Sequence, residues 1–162
     1  MSRALEEEDP RGLLRLPEAK SLSLLAGVPF GRVVFSRDAL PAIRPVNHIV
    51  DGGSIIIRTH LGAAVLSAIG MVVGYEADSI DPVTRTGWSV IVIGLAKRVV
   101  DVDEAARFEQ ELKPWVSGTM DHVIRIVPEM VTGFELVADP ADVRADDGEH
   151  EHRSLPRGPA AG

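Results

Sequence analysis

The chain contains no cysteine, which removes disulfides, thiolate nucleophiles and thiolate metal sites together. No basic run exceeds two residues, so the chain lacks a concentrated positive tract and nucleic acid is not an expected partner. No apolar stretch approaches the roughly 20 residues that span a bilayer. The acidic opening, with Glu6-Glu7-Glu8-Asp9, does not read as a signal peptide. A soluble, cytoplasmic protein with no membrane partner is the expectation. Gly-x-Ser-x-Gly, Walker and Rossmann patterns are missing, so the hydrolase, kinase and dinucleotide-fold readings drop out. The five histidines, His48, His60, His122, His150 and His152, form no convincing metal set with the carboxylates.

What is present suits one domain. A length of 162 residues and a hydrophobic fraction of 45% allow a sizeable buried core. The net charge of −7 arises largely at the two ends. Residues 1–16 read as a flexible arm, 17–137 as the folded domain, and 138–162 as an acidic tail expected to be disordered. Within the domain, Pro17-Glu18 opens a short helix ending near Gly27. Strands are predicted over 31–36, 42–50, 54–59, 71–78, 86–100, 121–127 and 131–137. Asp51-Gly52 is a hairpin signal. Short helices are predicted over 63–69 and from a cap at Asp103 to Glu111.

The long strand is informative because both of its faces are apolar. Val90, Val92, Gly94 and Ala96 share one face, and Ile91, Ile93 and Leu95 the other. A strand with one solvated face would alternate apolar with polar residues. Six or seven mostly antiparallel strands of this kind suggest a closed barrel whose interior takes one face. With few helices available, the second face is expected to pack against another copy, giving a homodimer.

The stretch Ile55 to Leu66 joins an apolar strand ending in Arg58-Thr59 to a loop containing Gly62 and to small residues suited to a helix. A helix start favours an anion, and an arginine delivered to it adds a fork that fits phosphate oxygens. On these residues alone, a phosphate seat and a turn with a solvated arginine are equally compatible readings. His122 reads either as a cavity-lining group or as a satisfied structural histidine.

The ordered features resemble the pyridoxamine 5′-phosphate oxidase-like family of flavin-binding split barrels. The matching text is Gly31-Arg32-Val33-Val34, Pro41 to Asn47, Asp51-Gly52-Gly53-Ser54 with Ile57-Arg58-Thr59, and Arg85 to Val90. It continues with Gly94-Leu95-Ala96, Pro114-Trp115, Ile124-Arg125-Ile126 and Val131-Thr132-Gly133. The resemblance covers roughly residues 17–137 and looks most like the small actinobacterial members. It implies a mainly β fold, a split barrel of six to seven antiparallel strands with short helices, assembled as a homodimer with a flavin at each end of the interface. It places Arg58 and Thr59 at the phosphate, with Ile57 before them and Gly62, Ala63 and Ala64 on the loop and helix that follow. Pro45, Val46 and Asn47 fall beside the ring and ribityl chain with Arg44 adjoining, and Trp88 and Ser89 close over the flavin from the partner. Ala64 stands where family members that bind FMN often carry a lysine. The implied activity is an FMN-dependent oxidoreductase acting on a small molecule, with no side chain assigned as proton donor. The alternatives are a deazaflavin-dependent reductase of the same fold, with Ala63-Ala64 making room for a longer ligand, and a non-catalytic flavin- or haem-binding protein.

Overall fold

The computed structural model describes residues 12–59, 67–113 and 122–138. Its elements run β1 (Leu13–Leu16), α1 (Glu18–Ala26), β2 (Phe30–Arg37), β3 (Leu40–Asp51), β4 (Ser54–Thr59), β5 (Val72–Asp81), β6 (Thr86–Arg98), α2 (Val102–Glu111) and β7 (His122–Leu136). All strand pairs are antiparallel, in the order β1-β7-β4-β3-β2-β5-β6, and pairing of β6 with β7 closes the ring. This is the expected mainly β architecture of seven antiparallel strands, consistent with a split barrel. One edge of β7 is shared, with β4 along His122–Ile126 and β1 along Gly133–Leu136.

Local chemistry explains the tight connections. Asp51 pairs with Ser54, leaving Gly52 and Gly53 as a two-residue loop at φ 56° and 79°. Two successive positive φ values match the twist of a hairpin, and glycine adopts them without steric cost. In the interior, a Cβ at Gly31 would strike the Glu76 carbonyl and the Tyr75 hydroxyl, so only glycine lets β2 lie this close to β5.

Three local expectations differ from the structure. The strands predicted over 121–127 and 131–137 are one continuous strand, β7. Pro128, which lacks an amide hydrogen, is accommodated by an irregularity in which Gly94 pairs with Pro128 and Ile93 with Met130; such a bulge is where a sheet tolerates proline. Leu13–Leu16, assigned to the arm, forms β1 against β7. The cap of α2 is Asp101, whose Oδ1 accepts the Glu104 amide at 2.8 Å, while Asp103 lies in the first turn. Asp101 and Glu104 have the spacing of a capping box. The helix expected over 63–69 falls mostly outside the described residues, and 67–70 form a turn.

The barrel interior is filled by Val33, Phe35, Val46, Ile55, Ile57, Val73, Tyr75, Val90, Val92, Ile124 and Ile126, with Leu25 of α1 packed among them. His48 is buried within this apolar volume. Its Nε2 lies 2.8 Å from the Leu25 carbonyl and its Nδ1 lies 2.6 Å from the Tyr75 hydroxyl. A carbonyl can only accept, so Nε2 carries the hydrogen and Nδ1 accepts from Tyr75. Burial holds the His48 imidazole below its ordinary value of 6.5 and raises the Tyr75 phenol. The folded chain therefore takes up the His48 proton less readily than the unfolded chain does. That contribution to stability is present above about pH 6.5 and is lost as pH falls toward the lower folded value. Tyr75→Phe is expected to leave Nδ1 without its donor and to lower unfolding free energy by about 1–3 kcal/mol. Urea titration of the variant measures this; a change below about 0.5 kcal/mol would contradict the pairing.

The opposite face of the strands is exposed. Side chains alternate along a strand, so Val72, Gly74 and Glu76 of β5 point outward together with Ile91, Ile93 and Leu95 of β6 and Met130 of β7. Val72, Ile91 and Met130 are 54%, 43% and 61% exposed. The second apolar face that the sequence predicted for β6 is therefore uncovered within one chain.

Candidate functional site

Strand β4 delivers Ile57, Arg58 and Thr59 in succession. Ile57 points inward and is fully buried in the core, whereas Arg58 emerges on the outer face at the C-terminal end of α2. Its Nη1 donates to the Glu109 carbonyl at 3.1 Å and to the Leu112 carbonyl at 3.3 Å. The last carbonyls of a helix are unsatisfied and carry its partial negative charge, so the guanidinium both caps α2 and fixes the position of that turn. From β3, the Asn47 carboxamide donates to the Lys113 carbonyl at 2.9 Å. Asn47 and Arg58 thus hold the same turn from two adjoining strands.

The helix is anchored from below as well. Phe108 is fully buried with Ile56, Val99 and Val123, and the Arg107 guanidinium stacks 4.4 Å from the Phe108 ring centroid. Arg107 pairs with Asp51 at 3.0 Å and Arg125 with Glu104 at 2.6 Å. Hydrogen bonding to Arg107 holds the Asp51 carboxyl below its usual range. These contacts make the C-terminal turn of α2 a fixed wall.

Between that wall and the end of α1 lies a cavity of about 400 Å³, lined by Ala26–Pro29, Asn47–Ile49 and Glu111–Lys113. Its volume lies within the range of small-molecule sites, and Asn47, Glu111 and Lys113 place polar groups around it. Thr59 pairs with His122 and Arg58 with Val123. Beside them, the buried His122 Nδ1 has no hydrogen-bond partner among the described residues. An orphaned ring nitrogen one register step from an arginine is what a site completed by a polar ligand would leave. A cavity of this size, lined by the Asn47 carboxamide and by Lys113, has room for one end of a flavin nucleotide.

The other sequence-predicted residues divide by face. Pro45 and Asn47 alternate with the buried Val46, so they share the outer face while Val46 points inward. Val46 and Ile57 can therefore offer a ligand only backbone groups. Arg44 is exposed, with Nη1 on the carbonyl of Ile43 at 2.8 Å. Gly62, Ala63 and Ala64, like Trp115, lie outside the described residues. Trp88 packs against its own chain's core, and Ser89, next along the strand, faces the other side. Arg58 is opposite Val123 and Trp88 opposite Glu135, so they sit toward opposite ends of β7, along a path of at most about 40 Å at about 3.3 Å per residue. The role of the α2 turn was not predicted, since it leaves no local signature in sequence, whereas His122 was named there with both a cavity-lining and a structural reading open.

Residues 17–135 match the family model described as pyridoxamine 5′-phosphate oxidase. The chain belongs to that family. A relative from Mycobacterium tuberculosis, an uncharacterised protein, is 50% identical over 144 residues, spanning 85% of this chain and 95% of its own. Among solved structures of similar fold, the FAD-binding protein from Mycobacterium smegmatis has 34% identity and a TM-score of 0.68, covering 78% of this chain and 100% of its own. A flavocytochrome from Azotobacter vinelandii, 11% identical with a TM-score of 0.60 over 91% of this chain and 84% of its own, shares the fold. Within the family frame, the described residues hold no cluster of His, Asp and Glu suited to a metal. None of their helices is long and apolar enough to cross a membrane.

Proposed function

We propose that two copies of this chain pack through the outer face of β5, β6 and β7 and bind a flavin nucleotide at each end of their seam. The complex acts as an oxidoreductase on a small molecule. The observation that carries this reading is the separation of Arg58 from Trp88 in one chain, joined by a sheet face that is apolar and exposed. A second copy brings the Trp88 end of one barrel to the Arg58 end of the other and covers that face. Arg58 and Thr59 hold the phosphate, and the outward Pro45 and Asn47 border the ring and ribityl chain. Trp88 and Ser89 of the partner subunit exclude water.

When bound, the flavin supplies hydride transfer. The chain's own contribution is position: Arg58 is rigid because Nη1 is fixed on α2, and Asn47 because it is tied to Lys113. No proton donor is assigned. FMN is the proposed nucleotide; the FAD-binding relative from Mycobacterium smegmatis supports FAD as the second reading.

Ligand extracted from purified, full-length protein and identified by mass spectrometry tests the proposal. The expected result is yellow protein releasing FMN or FAD. Release of a deazaflavin would overturn the flavin assignment and retain the fold-based site. Colourless protein whose melting temperature rises with none of FMN, FAD or a deazaflavin would overturn cofactor binding altogether, because a ligand bound by the native state must stabilise it.

A further inference from the structure

One ionic cluster interrupts the apolar outer face. Arg32 of β2 lies opposite Glu76 of β5, with Nη1 2.9 Å from Glu76 Oε2 and 3.6 Å from Asp78 Oδ2. Glu76 is the least exposed of the three, at 24% against about 40% for Arg32 and Asp78. Its neighbours are otherwise apolar. On β6 it faces Ile91, and on β3 the residue opposite Arg32 is Pro45. Arg44, the next charge along β3, is turned to the Ile43 carbonyl. Among the described residues, the charged groups facing Glu76 are therefore Arg32 from β2 and Asp78 from its own strand. The buried Tyr75 is the neighbouring titratable group on the inner side.

Two carboxylates sharing one guanidinium carry a net charge of −1. In a single chain, water on the open side solvates that surplus. A second copy seated on the face removes the water, and desolvating an uncompensated charge is costly. One added proton converts the cluster to a neutral set, an ionised Arg32–Asp78 pair beside an uncharged Glu76 that still hydrogen-bonds. Resting on the two-copy reading above, we propose that Glu76 takes up a proton when two copies assemble, so that mild acidification tightens the dimer and the flavin sites formed at its seam. Even in the single chain, burial and the hydrogen bond to Asp78 raise the Glu76 carboxyl above its ordinary range, Arg32 opposing them. Further burial acts in the same direction.

The sign follows from linkage. If the assembled form binds more protons than the separate chains, association strengthens as pH falls through the Glu76 values of the two states. Each copy contributes about tenfold in the dissociation constant for every unit by which assembly raises its carboxyl. The experiment is sedimentation of the full-length protein, amino-terminally labelled for nanomolar detection, between about pH 8 and pH 5.5 at constant ionic strength. The dissociation constant is expected to fall at least tenfold over that interval. Glu76→Gln should be as tight at pH 8 as the parent at pH 5.5, with no pH slope. Asp78→Asn leaves a neutral Arg32–Glu76 pair and should also flatten the slope, so the proposal does not depend on one variant folding. A parent dimer with constant affinity, or an undiminished slope in both variants, overturns the proposal and leaves the seam intact. A parent chain monomeric at every pH overturns the seam reading and the proposal with it.

Discussion

Replacing Ile93 by aspartate is expected to yield a monomer that keeps its barrel and loses its flavin. Ile93 lies at the middle of the outer face, between Gly74 of β5 and Met130 of β7. A carboxylate there is solvated in the free chain but buried without a partner in the assembly. Each aspartate costs about 2–4 kcal/mol on burial, and two-fold symmetry places the change twice in one interface. The dissociation constant should therefore rise about a thousandfold or more. Because the side chain points away from the core, circular dichroism and the urea midpoint of the barrel should change little. Sedimentation reads the assembly state and absorbance near 450 nm reads the flavin. A flavin-bound dimer of Ile93→Asp would place the interface elsewhere.

Arg58→Ala is expected to separate ligands by their phosphate. A charge-assisted hydrogen bond is worth about 1.5–3 kcal/mol, so FMN should bind roughly tenfold to a hundredfold more weakly while riboflavin loses much less. The control is needed because Arg58 also caps α2 through Glu109 and Leu112. Its removal loosens the turn that Asn47 grips and should weaken every ligand somewhat. Calorimetric titration of both flavins measures the difference. Equal losses would assign Arg58 to the helix alone.

These two residues illustrate what was legible in the sequence. The two apolar faces of β6 predicted an uncovered surface, because strand alternation is a local property, and Ile91, Ile93 and Leu95 do face outward. The bounds of β4 followed from composition in the same way, and the hairpin signal at Asp51-Gly52 marked the right turn, whose two loop residues are Gly52 and Gly53. The path of β7 through Pro128 did not, because proline reads as a strand breaker until a partner strand absorbs the irregularity. The shift of the α2 cap from Asp103 to Asp101 turns on two equally good capping residues, which only the helix geometry separates.

For the site, Arg58 and Asn47 were named, but their meeting at the α2 turn depends on contacts more than 50 residues apart. The face each residue takes sorted the rest. Alternation turned Val46 and Ile57 into core residues and left Pro45, Asn47 and Arg58 outside. The His48–Tyr75 pair was invisible in sequence because it joins β3 to β5 through the barrel interior.

Native mass spectrometry of the full-length protein as purified weighs assembly and ligand together and so decides whether a two-chain seam holds the flavin. The expected result is one dominant species of two chains carrying two flavin nucleotides. A single chain carrying one flavin, or a dimer carrying none after incubation with FMN and FAD, would contradict it.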